Sequence, residues 1–204
     1  MKRICMLALL ALASQAHAYG EEEPSAWQGV AGIGLTAGGD EFSKVHVSDK
    51  STGKIINNEN IRAGRLFQLD LGTRYRFSRL PLSLQATLGY HYDSVQGERL
   101  DTGAKVSLSF TRFPLELLPA WHIDKHSLGV GLRYDLQPEY KQSDGAGGTY
   151  RFKSQPGLIG EYSYAATDNV SFGLRYVGIK YKLKDDDSVS IKGNHVGINA
   201  RVYF

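Results

Sequence analysis

From Leu82 to Tyr92 the chain alternates between two kinds of residue. Leu82, Leu84, Ala86, Leu88, Tyr90 and Tyr92 share one parity, and Ser83, Gln85, Thr87, Gly89 and His91 share the other. Successive side chains of a strand point to opposite faces, so this segment predicts a strand with one apolar and one polar face. Its length matches the roughly 9–11 residues with which a tilted strand crosses a bilayer. The same alternation recurs over 27–37, 65–77, 103–112, 127–137, 157–164, 170–176 and 196–204. That makes eight strands. In 127–137, for example, Leu128, Val130, Leu132, Tyr134 and Leu136 oppose Gly129, Gly131, Arg133 and Asp135. In 103–112 the apolar set is Val106, Leu108 and Phe110, opposed by Lys105, Ser107 and Ser109.

The apolar parity flips twice. Phe113, Leu115 and Leu117 take over after Arg112, and a second flip falls at Val177–Ile179. Such a flip moves side chains to the other face unless a bulge absorbs one residue, so bulges are expected at both places. An irregular extension over 113–123, where Pro114 and Pro119 sit, is the alternative. Connections alternate in length. Ser78–Pro81, Asp124–His126 and Ala166–Asn169 are short, whereas 38–64, 96–102, 142–151 and 184–188 are longer. The first long connection carries Lys44–Val47 and Ile55–Ile56 around Ser51-Thr52-Gly53, a candidate hairpin.

The first eighteen residues follow a different logic. Lys2 and Arg3 precede an apolar run, Ile4 to Ala13, and Ala16-His17-Ala18 fits a signal-peptidase site. Residues 1–18 are read as a cleaved signal peptide, and 19–204 as one domain. Cleavage removes Cys5, the single cysteine, so no disulfide framework is available. It also removes two basic residues from a chain whose net charge is only +3, so nothing points to nucleic acid. No later stretch supplies the roughly 18 apolar residues of a spanning helix. What remains is a soluble exported barrel with its apolar face inward, or a membrane barrel with that face outward.

Three features favour the membrane. Trp27, Phe77, Trp121, Tyr164 and Phe204 lie at one end of the strands, and Tyr92, Tyr140, Tyr150, Phe152 and Tyr181 at the other, like two interfacial girdles. The polar face carries Asp70, Arg74, Arg133, Asp135, Glu161, Arg175 and Arg201, charges of both signs that can pair across a narrow lumen. Facing lipid, basic residues would cost roughly 2–4 kcal/mol each near the midplane. Finally, the chain ends in phenylalanine directly after an alternating strand.

That ending, Val196-Gly-Ile-Asn-Ala-Arg-Val-Tyr-Phe204, resembles the C-terminal assembly signal of bacterial outer-membrane β-barrel proteins. Asn169-Val-Ser-Phe-Gly-Leu-Arg-Tyr176 and Gly193-Asn-His-Val-Gly197 are similar to the same group. The chain from residue 19 onward resembles the small outer membrane β-barrel or porin family proteins of OmpX, OmpA-barrel and OmpW type. The resemblance implies an all-β fold, an eight-stranded antiparallel up-and-down transmembrane barrel in the outer membrane of a Gram-negative bacterium. It implies contact with outer-membrane lipid and lipopolysaccharide, and delivery to the barrel-assembly machinery through Val202, Tyr203 and Phe204. A monomer without cofactor is expected.

The seven charged residues named above predict a lumen network that plugs the barrel, so the reading is a structural or surface-interaction role exercised through the external loops. A narrow porin-like channel for small or apolar solutes is the alternative. Some barrels of this size modify lipid A with a histidine, a serine and an acid. Of His46, His91, His122, His126 and His195, none has a serine at a recognisable spacing in a suitable place, so no catalytic residue is assigned and the chain is read as no enzyme. Asp185, Asp186 and Asp187 are weak candidates for a divalent cation, without a spaced ligand pattern.

Overall fold

The computed structural model describes residues 27–48, 55–98, 105–143 and 147–204. Thirteen strands run through them: β1 (Trp27–Gly38), β2 (Glu41–Ser48), β3 (Ile55–Arg62), β4 (Leu66–Arg76), β5 (Leu82–Glu98), β6 (Lys105–Ile123), β7 (His126–Ser143), β8 (Thr149–Ser154), β9 (Gly157–Thr167), β10 (Val170–Gly178), β11 (Lys180–Leu183), β12 (Ser190–Lys192) and β13 (His195–Tyr203). The signal-peptide segment lies outside the described residues.

Eight of these close on themselves. β1 pairs with β4, then β5, β6, β7, β9, β10 and β13 follow, and β13 returns to β1, every pairing antiparallel. Closure leaves no unpaired barrel edge, the condition for a sheet in lipid, where backbone groups find no water. β2 and β3 pair as the hairpin expected in the first long connection. β8, β11 and β12 extend the sheet beside β7 at the same end. The opposite end has only tight turns, including Asp124–Lys125, where Asp124 takes a positive φ of 51° that aspartate tolerates.

The apolar parity faces outward through the middle of the barrel. On β7, Val130 is 71 % exposed while the next inward residue but one, Arg133, is 1 % exposed. The prediction of bulges at the two parity flips needs correcting. On β6 the even positions face inward without interruption from Val106 to Leu118. On β10 and β11 the odd positions do the same from Ser171 through Arg175 and Val177 to Tyr181. No face changes. What changes is the medium: in the membrane belt the outside is lipid and the inside polar, and beyond it the outside is water and the inside apolar. Val106, Leu108 and Phe110 therefore point into the molecule, not toward lipid.

A bulge does lie level with the first flip, but on the neighbouring strand, and another lies away from the second flip. One extra residue interrupts β7 opposite Thr111–Phe113, at Gln137, whose φ is 48°. It switches the inward parity of β7 from Arg133 and Asp135 to Tyr140. A second lies at Val170/Ser171, the short-turn end of β10, not at Val177–Ile179. The alternative of an irregular 113–123 is also excluded, since β6 runs through it.

The aromatic ring at the short-turn end is as expected: Trp27, Phe77, Trp121, Tyr164 and Phe204 are all exposed. The other ring is different. Tyr140, Phe152 and Tyr181 are buried in an apolar core with Ile61, Val95, Leu108 and Phe110. Tyr90, Phe113, Tyr134 and Tyr176 form the exposed aromatic belt there.

Candidate functional site

The interior is layered. At the short-turn end Arg74 donates from Nε and Nη2 to the Gln28 side-chain oxygen at 3.1 and 2.6 Å, and its guanidinium lies 3.3 Å above the Tyr203 ring. Tyr203 and Ser171 share a hydroxyl hydrogen bond of 3.1 Å. A polar cavity of about 180 Å³ opens here, lined by Arg74, His122, Ser127, Ser163, Ser171 and Tyr203 among others.

Above it lies a continuous charge network. Asp70 and Glu161 flank Arg201, with Asp70 3.4 Å from its Nε and Glu161 bound to both its terminal nitrogens. Glu161 also receives Arg175 at 3.2 Å. Arg175 passes to Glu116 at 2.7 Å, Glu116 to Arg133 at 2.9 Å, and Arg133 to Asp135 at 2.6 Å. Asp135 then meets Arg112 at 3.3 Å and accepts from the Tyr181 hydroxyl at 2.5 Å. Four arginines face four carboxylates, all buried, so the array is charge-balanced. Gly32 makes room for it, because a Cβ there would strike the Asp70 carboxylate and crowd Arg201.

All seven charged residues proposed from the sequence face the lumen and are buried. Six of them are joined by ion pairs, whereas Arg74 stands apart on Gln28 and Tyr203. Three central members were not proposed. Glu116 sits between two arginines, and its signal was the parity of Phe113, Leu115 and Leu117, which puts Glu116 on the polar side. Arg112 was hidden by taking Phe110 as lipid-facing, which sets Arg112 outward too. Gln68, beside Asp70 at 3.0 Å, accepts from Arg133 at 3.0 Å.

Two histidines top the network. Arginine has no acceptor, so Arg112 and Arg133, at 2.9 and 3.1 Å from His91 Nδ1, both donate to it. Arg112 Nη2 also lies 3.1 Å from Nε2, and Nε2 meets the Thr36 hydroxyl at 2.9 Å. His195 packs edge-on against His91 with centroids 5.3 Å apart, and bonds the Gly193 carbonyl through Nδ1 at 2.7 Å. His122 meets Ser83 at 2.8 Å and His126 the Tyr162 hydroxyl at 2.7 Å, both near the short turns. The side chain of His46 lies outside the described residues.

An apolar cap lies over the histidines. Phe42, entering β2, stacks on Tyr140 with centroids 5.0 Å apart and an interplanar angle of 8°, and it also touches Phe110 and Phe152.

The aspartate run does not form a cation cage. Asp186 accepts from the Ser188 hydroxyl and amide at 2.6 and 2.9 Å, bonds that hold its carboxyl below the usual carboxylate range. Asp187 turns to Lys153 at 3.1 Å. Among the described residues no cluster of three metal-ligating side chains is present.

At the C terminus, Phe204 exchanges two backbone hydrogen bonds with Gly29, and its ring covers Gly29 so closely that a Cβ there would overlap it.

The family described as outer membrane protein beta-barrel domain matches residues 5–204. The chain is an outer-membrane β-barrel protein. Its belt of outward apolar side chains accordingly sits in the bacterial outer membrane. Among solved structures, this barrel is similar to Ail, the attachment invasion locus protein of Yersinia pestis, crystallised with the heparin analogue sucrose octasulfate. Identity is 14 %, the TM-score 0.51, and the match covers 87 % of this chain and 99 % of that one. The Neisserial surface protein A structure shares 15 % identity at a TM-score of 0.48, covering 90 % and 100 %. No curated protein sequence matches this barrel significantly.

Proposed function

We propose that the protein is a closed barrel with a structural or surface-interaction role, working through the strands and loops that stand outside the membrane. The filled lumen carries this reading. An eight-stranded barrel has an interior that side chains alone can fill. Here the four-arginine, four-carboxylate network lies across it, and Phe42 stacks over it from the first hairpin. The polar cavity at the short-turn end is lined by Arg74 and Tyr203 among others. A channel for apolar solutes needs an apolar, open path, and the residues along this one are charged and mutually bonded.

The same reading assigns residues 1–18 to a cleaved export signal and Val202, Tyr203 and Phe204 to recognition by the barrel-assembly machinery, with outer-membrane lipid and lipopolysaccharide as the surroundings of a monomer. Phe204 supports this, being exposed and bonded through its backbone to Gly29. Planar-bilayer recording tests the closed lumen. The purified barrel gives no discrete conductance steps, and neither does a variant lacking residues 41–62, because the charge network remains. Stable steps from the intact protein would overturn the proposal in favour of the channel.

A further inference from the structure

The sheet formed by β7, β8, β11 and β12 stands beyond the aromatic belt, and its inward positions are Phe152, Ser154, Tyr181 and Ile191. Its outward positions carry Arg151 and Lys153 on β8, Lys180 and Lys182 on β11 with Lys184 just after it, and Lys192 on β12. Two pairs of lysines face each other directly across strands: Lys153 opposite Lys182, and Lys180 opposite Lys192. Like charges directly opposite are destabilising in an antiparallel pair. Local acids relieve only part of this. Glu139 takes Arg151 at 3.2 Å and Lys141 at 2.8 Å, and Asp187 takes Lys153 at 3.1 Å. Asp186 is occupied by Ser188. Among the described residues the side chains of Lys180, Lys182, Lys184 and Lys192 make no ion pair, although the Asp40 carboxylate accepts the backbone N–H of Lys192 at 2.8 Å.

The position of this face selects a ligand. It looks sideways, along the membrane plane, from the outer side of the barrel wall. Lys180 lies four residues beyond the belt residue Tyr176, and Lys192 four before Val196, the partner of Tyr176. At about 3.3 Å per residue and a tilt near 40°, that height is about 10 Å above the belt. This is the headgroup layer of the outer leaflet, where anionic groups lie beside the protein and basic clusters recognise them.

We infer that Lys153, Lys180, Lys182 and Lys192 form a binding face for the phosphate groups of the glycolipid surrounding the barrel, lipopolysaccharide. Anions bridging the two lysine pairs relieve the repulsion that the protein leaves uncompensated. The inference rests on the membrane-embedded, outward-loop reading above, and adds a defined site to it.

The test uses the full-length folded barrel in neutral detergent, compared with a Lys153→Gln/Lys180→Gln/Lys182→Gln/Lys192→Gln variant. A Lys105→Gln/Lys125→Gln variant controls for lost charge elsewhere. Heat-dependent gel migration first establishes that each is folded. Each is then mixed with lipopolysaccharide, with enzymatically dephosphorylated lipopolysaccharide, or with heparin as a soluble sulfated polyanion, and the retained ligand is measured at rising salt. The wild type and control retain phosphorylated lipopolysaccharide in a salt-sensitive manner, and the fourfold variant retains about tenfold less or lower still. Equal retention by the fourfold variant overturns the inference, as does equal retention of the dephosphorylated form. Preferential capture of heparin also overturns it and assigns the face to a soluble polyanion. Conductance of the wild type, by contrast, refutes the closed lumen and leaves this result standing.

Discussion

Glu116 bridges Arg133 and Arg175 at the middle of the lumen, with side-chain exposures of only 0–3 % for the three groups. Glu116→Leu keeps the volume near that of the glutamate but removes one carboxylate from a balanced set of four and four. Arg133 keeps Asp135, and Arg175 keeps Glu161, so neither is stranded. The lumen nevertheless gains one uncompensated buried cation. Removing one partner of a buried pair costs about 3–5 kcal/mol, and the surviving pairs put this case near the lower end. No discount for solvent screening applies at such burial. Adding Arg175→Met restores charge balance and replaces both partners with apolar groups. Such double replacements are often neutral, so the double variant should recover about 2 kcal/mol relative to the summed single effects. The assay is urea unfolding in detergent micelles or vesicles, followed by the heat-modifiable gel shift, over the full cycle of four proteins. Additivity within about 0.5 kcal/mol, or a neutral Glu116→Leu, would refute the account of the lumen as a coupled charge network.

Three further outcomes follow from the geometry. Phe42→Ala removes a partly buried ring from Tyr140, Phe110 and Phe152, and should cost about 2 kcal/mol, below the usual fully buried figure, while exposing the first hairpin to limited proteolysis. Gly131→Ala places a Cβ 2.9 Å from the Leu118 Cα and against the Leu117 carbonyl, so the urea midpoint should fall by an amount equivalent to about 1–3 kcal/mol. Phe204→Ala removes an exposed ring and should leave the unfolding midpoint of refolded protein nearly unchanged. In cells it should raise the unfolded, heat-unshifted fraction; an unchanged fraction would detach Phe204 from assembly.

Much of the barrel was legible because two media enforce opposite patterns on the two faces of a strand. Leu82–Tyr92 and Leu128–Leu136 read correctly for that reason: lipid demands one parity and the lumen accepts the other. The reading failed where the medium outside changed. Val106, Leu108 and Phe110 alternate as cleanly as Leu128 and Val130, but water lies behind them and the apolar side turns inward. Alternation records that two faces differ and does not record which is inside. The same mistake hid Arg112, and it put Tyr140, Phe152 and Tyr181 in a girdle when they build the cap. Glu116 was within reach, since its neighbours Leu115 and Leu117 were already assigned outward. The lysine face of β8, β11 and β12 was not, because it depends on pairing of Lys153 with Lys182 and of Lys180 with Lys192, which are 29 and 12 residues apart.

The continuous parity of β6 is the point on which the fold, the filled lumen and the position of the cap all depend. The most direct measurement is a spin-label scan from position 105 to 118, with Cys5 absent, comparing collisions with oxygen in lipid and with a water-soluble nickel chelate. Labels at 113, 115 and 117 should be reached by oxygen, labels at 105 and 107 by the chelate, and those at 106, 108, 110, 114 and 116 by neither. Lipid access at 106, 108 and 110 would contradict the account and turn the outer half of the strand, with its apolar cap, inside out.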